Sequence, residues 1–212
     1  MMDEIKRAAD HIAAHDPILA SVIAASPPLP DFQAHTNYYQ ALVNSIIGQQ
    51  LSVKAAASIK ERFSQLFQEP VPTPEHILEK SVDELRAVGL SRPKTNYIQD
   101  LARRVLDGSV QFDTINSLSN EEIVAELTKV KGIGEWTVHM FLIFCMGRLN
   151  VLPVGDLGVR TGIKNLYHLD YLPTPDEINA IAHDNHWRPY ESVAVWYIWQ
   201  SLNNKPSFDS QK

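Results

Sequence analysis

The sequence predicts an all-α protein, on three observations. No segment shows the sustained apolar and polar alternation of a half-buried strand, whereas apolar residues recur at three- and four-residue steps. Helix starts recur as well: Ser81 with Glu84, Ser119 with Glu122 and Thr174 with Glu177 each spell a capping box, in which hydroxyl and carboxylate satisfy each other's backbone amides. Thr73-Pro74 and Thr174-Pro175 place proline at the first helical position, and Gly89 and Gly108 stand where helices stop. About nine or ten short helices are expected on these signals.

In chain order, residues 1–35 predict one helix ended by the prolines of SPPLPDF. From Asn37, the residues Tyr39, Leu42, Val43, Ile46 and Ile47 recur at helical spacing up to Gly48, and a second helix begins at Ser52 with Val53, Ala56, Ile59 and Phe63 inward. Gln49, Gln50 and Leu51 then occupy a short interhelical turn. Two readings stand for the glutamines: caps at helix ends, or a wedge that enters a base stack when a nucleotide is extruded. Ser81–Gly108 predicts a helix, a Gly89-Leu90-Ser91 turn and a helix beginning near Pro93. Arg92 and Lys94 fall in its first turn, where cations oppose the helix dipole, so they are either solvated or meet a docked anion. Near the C-terminus Trp196 and Trp199 sit among valines and isoleucine and read as core. Trp187 and Tyr190 precede that apolar run and read as cleft-lining. His183 and His186 share a helix face without a further ligand motif, which argues against a zinc site.

Composition narrows the class. With 44% apolar residues the chain can build a core, as one large domain or two small helical ones sharing a cleft. A lone cysteine, Cys145, excludes a disulfide framework or a four-cysteine cluster within the chain and fits a reducing compartment. No stretch approaches the roughly 18 apolar residues of a membrane span, so a soluble intracellular protein is expected. The net charge of −6 argues at first against nucleic acid. Acid and base are nevertheless segregated. Residues 128–165 carry Lys129, Lys131, Arg148, Arg160 and Lys164 against Glu135 and Asp156, and residues 86–104 carry five basic residues against Asp100 alone. Residues 69–84 hold five acids against Lys80, so one basic face on an acidic protein is feasible.

The stretch from Thr128 to Asn165 carries the chemistry. Gly132-Ile133-Gly134 reads as a tight turn between helices, since glycine takes positive φ at no steric cost. The next helix would start with outward amide N–H groups that suit a phosphate oxygen. Trp136 follows the turn directly. Asp156 precedes an amphipathic run of Leu157, Val159, Ile163, Leu166 and Tyr167, where an aspartate is most simply an N-cap. An N-cap carboxylate can also serve as a fixed negative charge, because the helix dipole favours its ionised form.

At these residues the chain resembles the helix-hairpin-helix DNA glycosylase superfamily, and within it the 3-methyladenine DNA glycosylase II family. SIIGQQLSVKAA, VGLSRPKTNYI, VKGIGEWTVHM, LPVGDLGVRTG and WRPYESVAVWYIW occur in family order between about Tyr38 and Leu202. The resemblance implies a six-helix barrel over residues 36–146, a second helical layer from residues 1–35 and 147–212, and an active cleft between them. It also implies the minimal helical core, without the N-terminal β domain that some relatives carry.

The expected activity is excision of alkylated bases of the 3-methyladenine and 7-methylguanine type from duplex DNA by a monomeric, monofunctional enzyme in the cytoplasm, or in the nucleus of a eukaryote. Lyase relatives carry a Schiff-base lysine where this chain has Trp136, and many hold an iron–sulfur cluster on four cysteines. No cofactor for catalysis is therefore expected. By the same resemblance Asp156 is catalytic, and Trp136, Met140, Tyr190, Trp187 and Tyr39 line the base pocket. Gln50 is the wedge, supported by Leu51. Lys131, Gly132, Gly134, Thr137, Lys94 and Arg160 meet DNA phosphate, and the carbonyls of Thr128, Val130 and Ile133 bind a structural Na⁺ or K⁺. Met140 stands where better-known relatives have an aromatic, and Lys131 where many have proline. Two alternatives remain: a non-catalytic helix-hairpin-helix module that only grips DNA, and the same fold acting on uracil, hypoxanthine or mismatched bases.

Overall fold

The structure is a computed structural model that describes residues 2–27, 29, 37–69 and 72–203. Its helices are α1 (Met2–His15), α2 (Pro17–Ala25), α3 (Tyr38–Gly48), α4 (Val53–Phe67), α5 (Pro74–Glu79), α6 (Val82–Ala87), α7 (Arg92–Leu106), α8 (Asn120–Leu127), α9 (Glu135–Phe144), α10 (Leu157–Leu166), α11 (Pro175–Asp184) and α12 (Glu191–Asn203). A short 3₁₀ turn, Ile115–Ser117, precedes α8. No strand occurs among the described residues, as the sequence predicts. All three capping boxes form, and Pro74 and Pro175 open their helices.

Twelve α-helices among the described residues exceed the nine or ten expected. One source is the N-terminus, where a single helix was predicted. Asp16 ends α1 and N-caps α2, its Oδ1 accepting from the amides of Ile18 and Leu19 at 3.0 and 2.9 Å, with Pro17 in the first turn. Asp-Pro is an N-cap followed by the residue preorganised for a first turn, a local signal that amphipathic periodicity overrode. The proline run expected to end that helix lies mostly outside the described residues.

The chain divides into two compact units. One comprises Ala34–Met146 and the other Met1–Gln33 with Gly147–Lys212. In the first, α3 packs on α4, α7 and α9, α7 also receives α5 and α6, and α8 packs on α9. Its core gathers Leu42, Ile46, Ile47, Ile98, Leu101, Ile123, Val138 and Leu142, each essentially without solvent contact and each worth about 1.5–3 kcal/mol of transfer free energy.

In the second unit α12 is central, touching α1, α2 and α10. Val193, Ala194, Val195, Tyr197 and Ile198 are all buried, so this helix is apolar nearly all round and must be covered on several sides. Gly162 of α10 lets the two backbones approach: a Cβ there would lie 2.3 Å from Ile198 Cγ2 and 3.1 Å from the Ile198 carbonyl. Asp16 is fully buried in this unit, and its Oδ2 accepts from the Tyr167 hydroxyl and from Trp187 Nε1, the latter at 2.8 Å. Burial, and then that bond to the carboxylate, pushes the Tyr167 phenol up. A buried carboxylate with four donors is satisfied on both oxygens.

Candidate nucleic-acid interface and active site

The turn between α8 and α9 is built by two inward anchors and one glycine. Val130 and Ile133 are buried, and the amide of Ile133 donates to the Val130 carbonyl at 3.1 Å. Gly132 sits at φ +78°, and any Cβ there would fall 2.1–2.4 Å from the Tyr97 ring, so the position admits no side chain. Gly134 caps α9 without a side-chain hydrogen bond, which leaves the opening turn without an internal acceptor of the usual kind. Lys131 and Gly134 are exposed beside it, whereas Thr137 is buried and reaches only the wall of the adjoining groove.

From α7, Asp100 fixes the turn. Its buried carboxylate accepts the Lys131 amide at 3.0 Å and Arg104 Nε at 3.1 Å, with Arg103 at 3.9 Å. Burial alone would raise this carboxyl, but the bonds from the Lys131 amide and from Arg104 prevail and hold it below the usual range. Nothing local in the sequence marks Asp100 or Tyr97 as supports, because each meets the turn from a distant helix.

The turn between α3 and α4 faces the same groove, a space of about 770 Å³ lined by Gln49, Gln50, Lys94, Tyr97, Gly132 and Trp136 among others. Gln50 is exposed at φ +56°, a left-handed backbone uncommon for a residue with a side chain. Leu51 is exposed beside it. Trp136 is 54% exposed, large for a tryptophan, and Met140 follows one turn on, half-buried. Gln49 is a cap after all: it terminates α3, and its side-chain Nε2 donates to the Gly132 carbonyl at 2.9 Å.

Lys94 corrects an expectation. It was placed on a phosphate, but its Nζ donates to the carbonyls of Ile47 at 2.9 Å and Gln49 at 2.6 Å. The physical reason is the C-terminus of α3, whose carbonyls carry the negative end of a helix dipole and attract a cation. Partial burial holds this ammonium below the ordinary lysine range.

Tyr39 is a second correction. It is buried on the apolar stripe of α3, tilted against Phe112, and its hydroxyl has no hydrogen-bond partner, so burial pushes the phenol up. Its spacing with Leu42, Val43 and Ile46 assigns it to the core. The half-buried neighbour Tyr38 instead donates its hydroxyl to Asn116 Oδ1 at 2.9 Å.

In the second unit Asp156 N-caps α10. Its Oδ1 accepts the Val159 amide at 2.7 Å and Trp199 Nε1 at 2.9 Å, and its own amide donates to the Pro153 carbonyl at 2.9 Å. A Cβ on Gly158 would stand 3.0 Å from Asp156 Oδ1 and 3.1 Å from the Trp199 ring, so glycine leaves room for that contact. Trp199 was read as core; it is half-buried and orients the carboxylate. Trp187 was read as cleft-lining and is the opposite, fully buried with its indole N–H on Asp16. Tyr190 is half-buried with its ring edge-on to His11. Arg160, also placed on phosphate, gives its Nε to the Pro173 carbonyl at 3.0 Å. His183 pairs with Asp184 and His186 meets the ring of His15; among the described residues no three His, Cys, Asp or Glu side chains are grouped to hold a metal.

Known proteins resemble this chain in sequence and in fold. The profile of the HhH-GPD superfamily base excision DNA repair proteins matches residues 43–186. DNA-3-methyladenine glycosylase 1 of Schizosaccharomyces pombe is 35% identical over 77% of this chain and 72% of its own length. The crystal structure of a DNA-3-methyladenine glycosidase from Bacillus halodurans superposes with a TM-score of 0.82 at 35% identity, covering 93% of this chain and 89% of that one. The S. pombe 3-methyladenine DNA glycosylase in complex with abasic DNA superposes at 0.75 with 30% identity, over 93% and 97%. On the hairpin, the aspartate and these matches, the chain belongs to the HhH-GPD superfamily of base excision DNA repair proteins.

Proposed function

We propose that this protein is a monofunctional DNA glycosylase that extrudes alkylated bases from duplex DNA, acting as a monomer, and hydrolyses the N-glycosidic bond to leave an abasic site. The observation that carries the chemistry is Asp156, held at the N-terminus of α10 by the Val159 amide and the Trp199 indole. A fixed carboxylate stabilises the positive charge that grows on the sugar as the bond breaks, and can orient the attacking water. Electrostatic stabilisation is taken as the larger part, because the carboxylate is fixed in place by its N–H donors before any charge develops.

Base choice follows from charge. A purine alkylated on a ring nitrogen is cationic or electron-poor and leaves without a protonating acid, and the exposed indole of Trp136 attracts such a ring by about 0.5–2 kcal/mol. Neutral bases such as uracil leave poorly and would need closer hydrogen bonding than an indole face supplies. The α9 start, with Lys131, grips a backbone phosphate, and Gln50 with Leu51 fills the vacated stack. The carbonyls of Thr128, Val130 and Ile133 are neutral, hard oxygen donors and suit a monovalent cation that stiffens the turn; no chemical step depends on it. No amine stands at Trp136 for an imine.

The test is release of free 3-methyladenine and 7-methylguanine from methylated duplex, alongside duplexes bearing uracil or hypoxanthine, with borohydride present. Release of the methylated purines without a trapped protein adduct supports the reading. Preference for uracil, a covalent adduct, or tight binding with no release at all each contradicts it.

A further inference from the structure

We infer that Lys94 is a positioning residue for the wedge turn, acting through Gln50 rather than on a DNA phosphate. The inference rests on the glycosylase reading above and adds a residue to its machinery.

Gln49 is held at three points. Its carbonyl accepts from Lys94 Nζ at 2.6 Å, its amide donates back to the Ser45 carbonyl of α3 at 3.1 Å, and its side-chain Nε2 donates to the Gly132 carbonyl at 2.9 Å. The residue before the wedge is therefore tied at main chain and side chain. Gln50 then leaves in the left-handed region at φ +56°, a conformation that persists only where its surroundings over-determine it. Lys94 also holds the Ile47 carbonyl, so one ammonium bridges the last turn of α3 and the residue beyond it. Without that cation two carbonyls at the negative end of a helix lose a charged donor in a half-buried place.

The same face of α7 holds the hairpin. Tyr97, one turn after Lys94, packs its ring where a Gly132 side chain would be, and Asp100, one turn further, accepts the Lys131 amide. Residues 94, 97 and 100 follow a three-residue row on one helix. One rigid rod thus sets the spacing between the turn that enters the stack and the turn that grips the backbone. A phosphate contact lowers the salt slope when it is lost and a positioning role leaves the slope as it is, which makes them separable.

The experiment uses the full chain and a duplex with 2-aminopurine beside a tetrahydrofuran abasic site, read by fluorescence for extrusion and by Kd across a salt series. Single-turnover release of 7-methylguanine is measured in parallel. Lys94→Met is expected to lower extrusion and release by about tenfold, as loss of a group that sets geometry does, with the slope of log Kd against log salt unchanged. Placed in a Gln50→Ala background it should add less than about twofold, since the two act through one element. Lys94→Arg keeps the charge but replaces a compact ammonium between two carbonyls with a wide planar head, and should slow release by about threefold or more. If Lys94→Met does not fold, Lys94→Arg alone decides.

A salt slope reduced by about 0.9 in Lys94→Met would show a direct phosphate contact and overturn the inference. So would a full tenfold loss in the Gln50→Ala background, or Lys94→Arg behaving as wild type. The fluorescence signal needs no catalysis, so it tests Lys94 even if wild type releases no base; that result would sink the glycosylase reading instead.

Discussion

Trp199 Nε1 and the Val159 amide converge on one oxygen of Asp156, at 2.9 and 2.7 Å, so a side chain from α12 and the first turn of α10 fix the carboxylate together. The indole is 43 residues from the aspartate in sequence and half-buried, which makes it part of the site and not only of the core. Trp199→Phe keeps most of the packing and removes the donor. It should lower the single-turnover excision rate by about 10–100-fold, the scale expected for a misplaced reacting group, with Kd for abasic duplex within threefold of wild type. An unchanged rate would show that the indole donor is dispensable.

Two glycines of α10 should respond differently to alanine. At Gly162 a Cβ would collide with Ile198 at 2.3 Å, and the helices cannot part without loss of packing, so Gly162→Ala should destabilise by about 1–3 kcal/mol in urea melts. At Gly158 the nearest atoms are Asp156 Oδ1 at 3.0 Å and the Trp199 ring at 3.1 Å, which can give by a few tenths of an ångström. Alanine also gains about 1 kcal/mol of helix propensity over glycine. Gly158→Ala should therefore leave stability near wild type while slowing excision. Full activity with lowered stability would reverse the assignment.

Trp187 tests the corrected pocket. With its indole N–H on the buried Asp16, Trp187→Phe leaves that carboxylate one donor short and should cost about 1–3 kcal/mol of stability. The ratio of 3-methyladenine to 7-methylguanine release should not move. A changed ratio with unchanged stability would return Trp187 to the base pocket.

Asp100 carries a pH dependence whose sign is set. Its folded carboxyl lies below the ordinary value, so its contribution is present in full above about pH 4 and is lost as pH falls through the folded value. Asp100→Asn removes the charge that meets Arg104. Its deficit relative to wild type should be about 1–2 kcal/mol at pH 7 and should shrink as pH falls below the ordinary carboxylate range, measured by denaturant melts. A deficit that does not vary with pH would show that shape, not charge, matters there.

Local signals were legible and distant partners were not. The capping boxes at Ser81, Ser119 and Thr174 and the stop at Gly89 need only neighbouring residues, and each formed. Asp156 as an N-cap was equally local. Lys94, Trp187 and Trp199 were misplaced because each finds its hydrogen-bond partner far away in sequence: Lys94 on Ile47 and Gln49, Trp187 on Asp16, Trp199 on Asp156. Tyr39 is the exception, since its helical spacing with Leu42 and Ile46 already pointed inward and the resemblance displaced that reading.

The most direct measurement is single-turnover release of 3-methyladenine from methylated duplex by wild type and Asp156→Asn. Asparagine caps a helix about as well as aspartate and can keep both hydrogen bonds on its carbonyl oxygen, so the variant changes charge and little else. Release should fall by about 10²–10³-fold, the scale of removing one electrostatic stabiliser, with affinity for abasic duplex retained. Equal release by the two proteins would contradict a mechanism built on that negative charge.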